Sequence, residues 1–218
     1  TVADINGDSI PDLLTANGGN GYIDPFVERS PGFLMVVSGA DGSVLGSAET
    51  PDEMETYMSP VAYQEGEDIT YVLFGTGGET FPGALWRTTL KDILSGNIST
   101  AMQLTYPRSY KGVIAPPSLA DLNLDGFLDI IVVTFDGQII AIDGLTFDSL
   151  WQKELTGYSD DEVESYSSPG IGYFNNDGVP DVFVNLMIGS WPQYRVVVFW
   201  ALSGWTGGTI YKNTEEIG

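Results

Sequence analysis

The side chains best placed to do chemistry in this chain are carboxylates at a fixed spacing. In the stretch Ala120-Asp121-Leu122-Asn123-Leu124-Asp125-Gly126-Phe127-Leu128-Asp129-Ile130-Ile131-Val132-Val133, Asp121, Asn123, Asp125 and Asp129 occupy loop positions 1, 3, 5 and 9. That spacing lets a tight loop turn its side-chain oxygens toward one hard cation. Three carboxylates this close repel one another unless a positive charge lies between them. Gly126 supplies the backbone freedom for the turn, and the carbonyl of Phe127, at position 7, is a natural main-chain ligand. Position 12, where an EF-hand carries a bidentate Glu and continues as a helix, is Val132 inside a β-branched run. The stretch reads as a calcium loop that feeds a strand.

The same phrase recurs. Near the start of the chain, Asp4-Ile5-Asn6-Gly7-Asp8-Ser9-Ile10-Pro11-Asp12 keeps all four side-chain positions, with Ser9 in place of the turn glycine. A third copy, Tyr173-Phe174-Asn175-Asn176-Asp177-Gly178-Val179-Pro180-Asp181, keeps positions 3, 5 and 9 but puts Tyr173 at position 1. Its set of Asn175, Asp177, the Val179 carbonyl and Asp181 is one carboxylate short, which makes it the weak site. A single copy reads equally well as an ordinary Asp/Asn/Gly turn between strands. Two complete copies and a partial third, each followed by an apolar run, favour metal loops.

The phrase D-x-N-x-D-G-x-x-D followed by a hydrophobic strand resembles the FG-GAP repeat of integrin alpha chains and related cell-surface and secreted proteins. The resemblance implies an all-β fold, a β-propeller of about four blades of four antiparallel strands, forming part of a larger propeller with calcium loops. It implies calcium ligands at Asp4, Asn6, Asp8, the Ile10 carbonyl and Asp12, and at Asp121, Asn123, Asp125, the Phe127 carbonyl and Asp129, so two Ca2+ ions with a third at the weaker copy. By the same resemblance the chain is a non-enzymatic, extracellular or cell-surface module for protein interaction, adhesion or structural assembly, the ectodomain of a longer precursor. Its partners would be an extracellular protein, a glycan, or neighbouring subunits of an assembly.

Composition limits the alternatives. Among 218 residues there are 8 basic and 30 acidic side chains, a formal charge of -22. That balance argues against a nucleic-acid backbone or an anionic membrane surface as partner. With no Cys and no His, disulfides, thiolate or imidazole metal sites, and Ser-His-Asp or Cys-His catalysis are all excluded. A carboxylate pair for glycoside hydrolysis stays open, because so many acids offer pairings, as do a polysaccharide lyase and a quinone-dependent dehydrogenase, but no catalytic residue stands out. Gly75-Thr76-Gly77-Gly78 lacks the Gly-Lys-Ser/Thr ending of a phosphate loop and reads as a bend. No apolar run reaches the length of a membrane span and no signal peptide is present; both chain ends look cut. Asn97-Ile98-Ser99 is the single N-x-S/T sequon, which makes Asn97 a candidate glycosylation site. Trp86, Trp151 and Trp200 lie in strand-like runs and read as packing residues. Trp191 and Trp205 lie beside Pro and Gly in loops, where they could stack on a sugar in a lectin-like alternative.

In chain order the sequence divides into four units of blade length, 1-50, 51-108, 109-160 and 161-218. The first begins at its loop, so its leading strand is missing or supplied from elsewhere, and it carries a polar insertion from Asn17 through Asp24-Pro25. The second has lost the ligand spacing at Gln64-Glu65-Gly66-Glu67-Asp68. Asp52-Glu53-Met54-Glu55-Thr56-Tyr57-Met58-Ser59-Pro60 reappears as Asp161-Glu162-Val163-Glu164-Ser165-Tyr166-Ser167-Ser168-Pro169. These acidic patches, Asp52 to Glu55 and Asp160 to Glu164, read as solvated loops between blades. In the last unit an insertion is expected around Gly189-Ser190-Trp191-Pro192, and Arg195 to Trp200 as an inner strand buried on both faces.

Overall fold

A computed structural model describes residues 1-19, 30-66, 69-158 and 162-216. Asp24, Pro25, Glu67, Asp68, Asp160 and Asp161, together with the closing Ile217-Gly218, lie outside the described residues. The chain forms two compact units, Thr1–Ile114 and Ala115–Gly218. Among the described residues it is all-β apart from one short helix, and its strands form antiparallel sheets of three to five strands that resemble propeller blades. Among the described residues, no helix is long and apolar enough to cross a membrane.

The first unit holds two sheets. One is the meander β1 (Leu13–Asn17), β2 (Phe33–Val37) and β3 (Val44–Glu49). Along β2 the side chains alternate, with Leu34 and Val36 fully buried and Phe33, Met35 and Val37 half-buried, as a sheet with one covered face requires. Ahead of β1, the Val2 amide donates to the Asp12 carbonyl at 2.9 Å, but the residues before the first acidic loop form no strand and the sheet has three strands among the described residues. The other sheet orders β4 (Val61–Glu65), β5 (Ile69–Gly75), β6 (Leu85–Thr89) and β7 (Met102–Gln103). Arg87 on β6 lies over the Tyr71 ring, 3.4 Å from its centroid, donates to the Tyr63 hydroxyl at 2.7 Å and pairs with Glu65.

Helix α1 (Leu90–Ser95) follows β6 directly. Its first turn is capped by the Thr89 hydroxyl, which accepts from the Asp92 amide at 3.1 Å, and Gly96 at φ 78° ends it in the left-handed conformation. The helix buries Leu90 and Ile93 and packs on β3. A Cβ on Gly46 would lie 2.6 Å from the Leu94 Cα, so only glycine admits the helix at that point.

The second unit holds the sheet β8 (Ser118–Ala120), β9 (Asp129–Val133), β10 (Ile139–Ile142) and β11 (Ser149–Lys153). Its other sheet is built from β12 (Val163–Glu164), β13 (Gly170–Gly172), β14 (Asp181–Ser190), β15 (Gln193–Leu202) and β16 (Thr209–Glu216), with β12 and β13 pairing successive parts of the same edge of β14. One core joins the two sheets, with Ile131, Val133, Ile139 and Ala141 packed among Val182, Val184, Trp200 and Leu202. Each Val, Ile or Leu side chain among them taken out of water contributes about 1.5–3 kcal/mol.

Two expectations about this last sheet are corrected. Gly189 to Pro192 is no insertion, because β14 and β15 pair down to Ser190 and Gln193 and turn there as one long hairpin. The run after Arg195 is not buried on both faces. Val198, Trp200 and Leu202 are buried, but Val197 and Phe199 on the opposite face are half-buried, because period-two alternation leaves that face toward water.

Candidate metal-binding loops

The three acidic loops sit at one structural position, between the end of a short lead-in segment and the start of a long strand. In each, the aspartate at position 9 is the first residue of a strand or adjoins it, and it is fully buried: Asp12, Asp129 and Asp181 are each 0 % exposed. The reason is the same each time. Asp129 accepts from the Leu122 amide (2.7 Å) with one oxygen and from the Gly144 amide (2.8 Å) with the other. Asp12 does this with Ile5 (2.7 Å) and Gly39 (3.1 Å). Asp181 does it with Phe174 (2.7 Å) and Gly204 (3.2 Å). One carboxylate thus ties the loop's own second residue to a hairpin turn 23 to 27 residues away in two copies and 15 away in the other.

That turn is a second repeated motif which the sequence reading missed. Ser38-Gly39, Asp143-Gly144 and Ser203-Gly204 each close the hairpin that follows the acidic loop. In all three, the first residue donates its amide five residues ahead and accepts from the residue four ahead: Ser38 with Ser43 and Gly42, Asp143 with Asp148 and Phe147, Ser203 with Gly208 and Gly207. The glycine is required by contact. A Cβ at Gly39, Gly144 or Gly204 would stand 2.0, 2.2 or 1.8 Å from the carbonyl oxygen of Pro11, Leu128 or Pro180, the residue just before the buried aspartate. The signal was present as a Ser/Asp-Gly pair at a matched place after each apolar run, but its spacing from the loop varies with hairpin length.

Within the loops, the remaining predicted oxygens lie near the surface and order the backbone. Asp121 accepts from the Asp125 (3.1 Å) and Gly126 (3.0 Å) amides, Asp125 from the Phe127 amide (2.8 Å), and Asn123 from the Asp125 amide (3.0 Å). The first copy repeats this with Asp4 on Gly7 (2.7 Å) and Ser9 (2.7 Å), Asp8 on Ile10 (2.8 Å), and Asn6 on Asp8 (3.1 Å). The Ser9 amide holds the Asp4 carboxyl below its usual range. Both loops use left-handed backbone at positions 4 and 6, with the glycine exchanged between them: Gly7 (φ 80°) and Ser9 (φ 71°) in one, Leu124 (φ 59°) and Gly126 (φ 91°) in the other. In the third copy only Gly178 (φ 81°) is left-handed. There Tyr173 is 69 % exposed, and Asn175 bonds Asp181 through its amide at 3.1 Å while Asp177 accepts from Val179 at 2.9 Å.

Among the described residues, no group of three or more acidic side chains is drawn together as a bound ion would draw them. The donor chemistry of the first two loops nonetheless fits calcium, being entirely hard oxygen from carboxylate, amide and main-chain carbonyl. One residue joins the middle loop unforeseen. Asp143, from the hairpin turn, accepts from the Asn123 side-chain amide at 2.9 Å, while that amide also donates to Asp125 at 3.2 Å. Burial first, and then the Asp125 and Asp143 charges, push the Asp129 carboxyl above its ordinary range, against the two amides that pull it down.

The acidic repeat is corrected on the described residues. Glu55 and Glu164 are 4 % and 5 % exposed and are not solvated. Glu55 accepts from the Tyr57 hydroxyl at 2.8 Å, and Glu164 from the Tyr194 hydroxyl at 2.5 Å; Tyr194 also reaches the Tyr166 hydroxyl at 3.1 Å. A buried carboxylate needs such donors. Asp52 accepts from the Thr76 hydroxyl at 2.6 Å. Trp151 and Trp200 are buried, and Trp191 and Trp205 are 71 % and 56 % exposed, with Trp191 tilted against Tyr194. Asn97 is exposed just past α1, its side chain accepting from the Ser99 amide at 3.0 Å.

No family model matches the sequence, and no curated protein is similar to it. Solved structures do resemble it. The quinohemoprotein alcohol dehydrogenase ADHIIG from Pseudomonas putida HK5 superposes with a TM-score of 0.54 at 12% identity, over 85% of this chain and 43% of that one. Looser likenesses are BamB from Moraxella catarrhalis (TM-score 0.47, 12% identity, 94% of this chain and 50% of that one) and a europium-containing methanol dehydrogenase (0.42, 15%, 71% and 26%). The chain spans half or less of the length of these proteins. At such identities the likeness is one of fold, a distant resemblance to β-propeller proteins.

Proposed function

We propose that this chain is a calcium-stabilised run of β-propeller blades that serves outside the cell, without catalysis, as a rigid platform for binding another protein or for assembly. The observation that carries this reading is the shared build of the first two acidic loops. Each has two left-handed residues at matched positions, a matched set of hard oxygens, and a buried aspartate that ties it to the next hairpin turn. Asp4, Asn6, Asp8, the Ile10 carbonyl and Asp12 would hold one ion. Asp121, Asn123, Asp125, the Phe127 carbonyl and Asp129, with Asp143 beside them, would hold the other. A bound divalent ion supplies positive charge where carboxylates are crowded, and so stabilises the folded chain over the unfolded one. The protein's own contribution is to preset the loop backbone. The third copy, without a carboxylate at position 1 and with a single left-handed residue, is a structural loop first.

Extracellular placement is supported by the range in which extracellular calcium modules bind, about 10⁻⁴–10⁻³ M. Asn97 is then available to a glycan. Thermal unfolding in calcium and in chelator tests the reading. At a concentration a hundred times the dissociation constant each ion contributes about 2.7 kcal/mol, so chelation should lower the melting temperature by about 5 °C or more. Identical melting curves would overturn it. Product formation from polysaccharides, or a cofactor absorbance in the purified protein, would overturn the non-enzymatic part.

A second reading has one observation in its favour. Trp191 presents 71 % of its surface beside the Tyr194 ring, an arrangement suited to stacking on a sugar face. A glycan array with the native protein and Trp191→Ala, alongside Trp205→Ala, separates this lectin-like reading from the first.

A further inference from the structure

The asparagine at loop position 3 is held alike in all three acidic loops. Its side-chain oxygen accepts from the amide two residues on: Asn6 from Asp8 at 3.1 Å, Asn123 from Asp125 at 3.0 Å and Asn175 from Asp177 at 2.9 Å. This bond folds the carboxamide back over the peptide that joins the asparagine to its successor. The successor differs. It is Gly7 in the first loop, Leu124 in the second and Asn176 in the third. Asn6 is also exposed, whereas Asn123 and Asn175 are half-buried.

A carboxamide folded over the next peptide nitrogen can react with water as its only partner. The Gly7 nitrogen loses its proton to hydroxide and attacks the Asn6 Cγ, the Cγ–Nδ2 bond breaks and ammonia leaves. Water then opens the five-membered imide at either carbonyl. The product is aspartate, or isoaspartate with the main chain routed through the former side chain. A glycine successor has no Cβ to shield its nitrogen and leaves the backbone free to close the ring. Nothing stands within 4 Å of the place a Gly7 Cβ would take, so no neighbour crowds the attack.

We infer that Asn6 is a self-modification site, converting to aspartate or isoaspartate faster than the asparagines of the other two loops. Asn17-Gly18 is the same dipeptide with the same kind of bond, to the Gly19 amide at 3.0 Å, but it is held in place. Asn17 is the last residue of β1, paired with Phe33, and a Cβ at Gly18 would stand 2.6 Å from the Tyr57 ring. Asn20, also followed by glycine, lies outside the described residues. The consequence at Asn6 is local. Isoaspartate adds a backbone carbon ahead of Gly7, and the Gly7, Asp8 and Ser9 amides that converge on Asp4 at 2.7, 3.2 and 2.7 Å lose their common acceptor. The first loop then loses its preset shape while the middle loop keeps its own. Calcium bears on the rate only under the calcium reading, in which an ion holds the Asn6 Oδ1 and so stops the ring from closing.

Incubation of the purified chain with chelator in mildly alkaline buffer, followed by tandem mass spectrometry that resolves each asparagine, tests this. Asn6 should convert at least about fivefold faster than Asn123, Asn175 or Asn17, with isoaspartate among its products. Gly7→Leu places a leucine where the middle loop already carries Leu124 at φ 59°, and should slow Asn6 to the rate of Asn123. Leu124→Gly should raise Asn123 toward the rate of Asn6. Both substituted positions are exposed, so the fold is kept. Equal rates at Asn6 and Asn123, conversion at Asn17 that outruns Asn6, or a rate at Asn6 that Gly7→Leu leaves unchanged would each overturn the inference. A parallel incubation in calcium separates the two claims. Protection of Asn6 supports an ion in the first loop, whereas equal conversion with and without calcium counts against that ion and leaves the modification standing.

Discussion

At the scale of single residues, position 9 of the acidic loops is a structural cross-link whether or not an ion is bound. Asp129 and Asp181 each satisfy a loop amide and a turn amide from a fully buried site. Asp181→Ala should therefore cost about 2–4 kcal/mol by urea unfolding, with or without calcium, because it leaves buried amides unpaired. A loss under ~1 kcal/mol would contradict that role. Asp121→Ala, by contrast, should change the metal-free protein little and remove most of the calcium increment of the middle loop. The pairing of Tyr194 with Glu164 has its own signature. Burial first, and then the Glu164 hydrogen bond, raise the Tyr194 hydroxyl well above its ordinary value of 10.0. The folded state then keeps a proton that the unfolded state gives up, so this stability is complete below about pH 10 and falls as pH rises above it. Tyr194→Phe should flatten that alkaline loss in pH-dependent unfolding while lowering stability at pH 7.

At the scale of elements, the acidic loops could be read from the sequence because their ligands lie within nine positions of one another. A local motif needs no tertiary information. The strand after Asp129 and the start of the one after Asp181, Val182 to Val184, were legible for the same reason, as short apolar runs. What escaped was set by contact between distant segments. Gly144 is demanded by the Leu128 carbonyl 2.2 Å from its absent Cβ, and nothing near Gly144 in the chain announces that neighbour. Glu164 looks like a solvated charge because the Tyr194 hydroxyl that donates to it comes from 30 residues away. The turn at Trp191-Pro192 looked like an insertion because its aromatic and proline hide a hairpin whose register is set by β14 and β15. The conserved geometry of the three turns makes a direct prediction. Gly204→Ala, with its Cβ 1.8 Å from the Pro180 oxygen, should destabilise by more than about 2 kcal/mol, measured by the same urea series, whereas Gly178→Ala, with nothing within 4 Å, should cost about 1 kcal/mol for its left-handed backbone alone.

At the scale of the whole molecule, three of the four sheets among the described residues repeat a single plan in which an acidic loop enters a strand, a hairpin follows, and a Ser/Asp-Gly turn closes back on the loop's buried aspartate. The central claim is that two of the loops take up calcium. Calorimetric titration of the chelator-treated protein should show two calcium ions bound per chain at millimolar levels or tighter, falling to one in Asp8→Asn and to one in Asp125→Asn. No saturable binding at ~5 mM calcium, or a stoichiometry that neither substitution changes, would contradict the account.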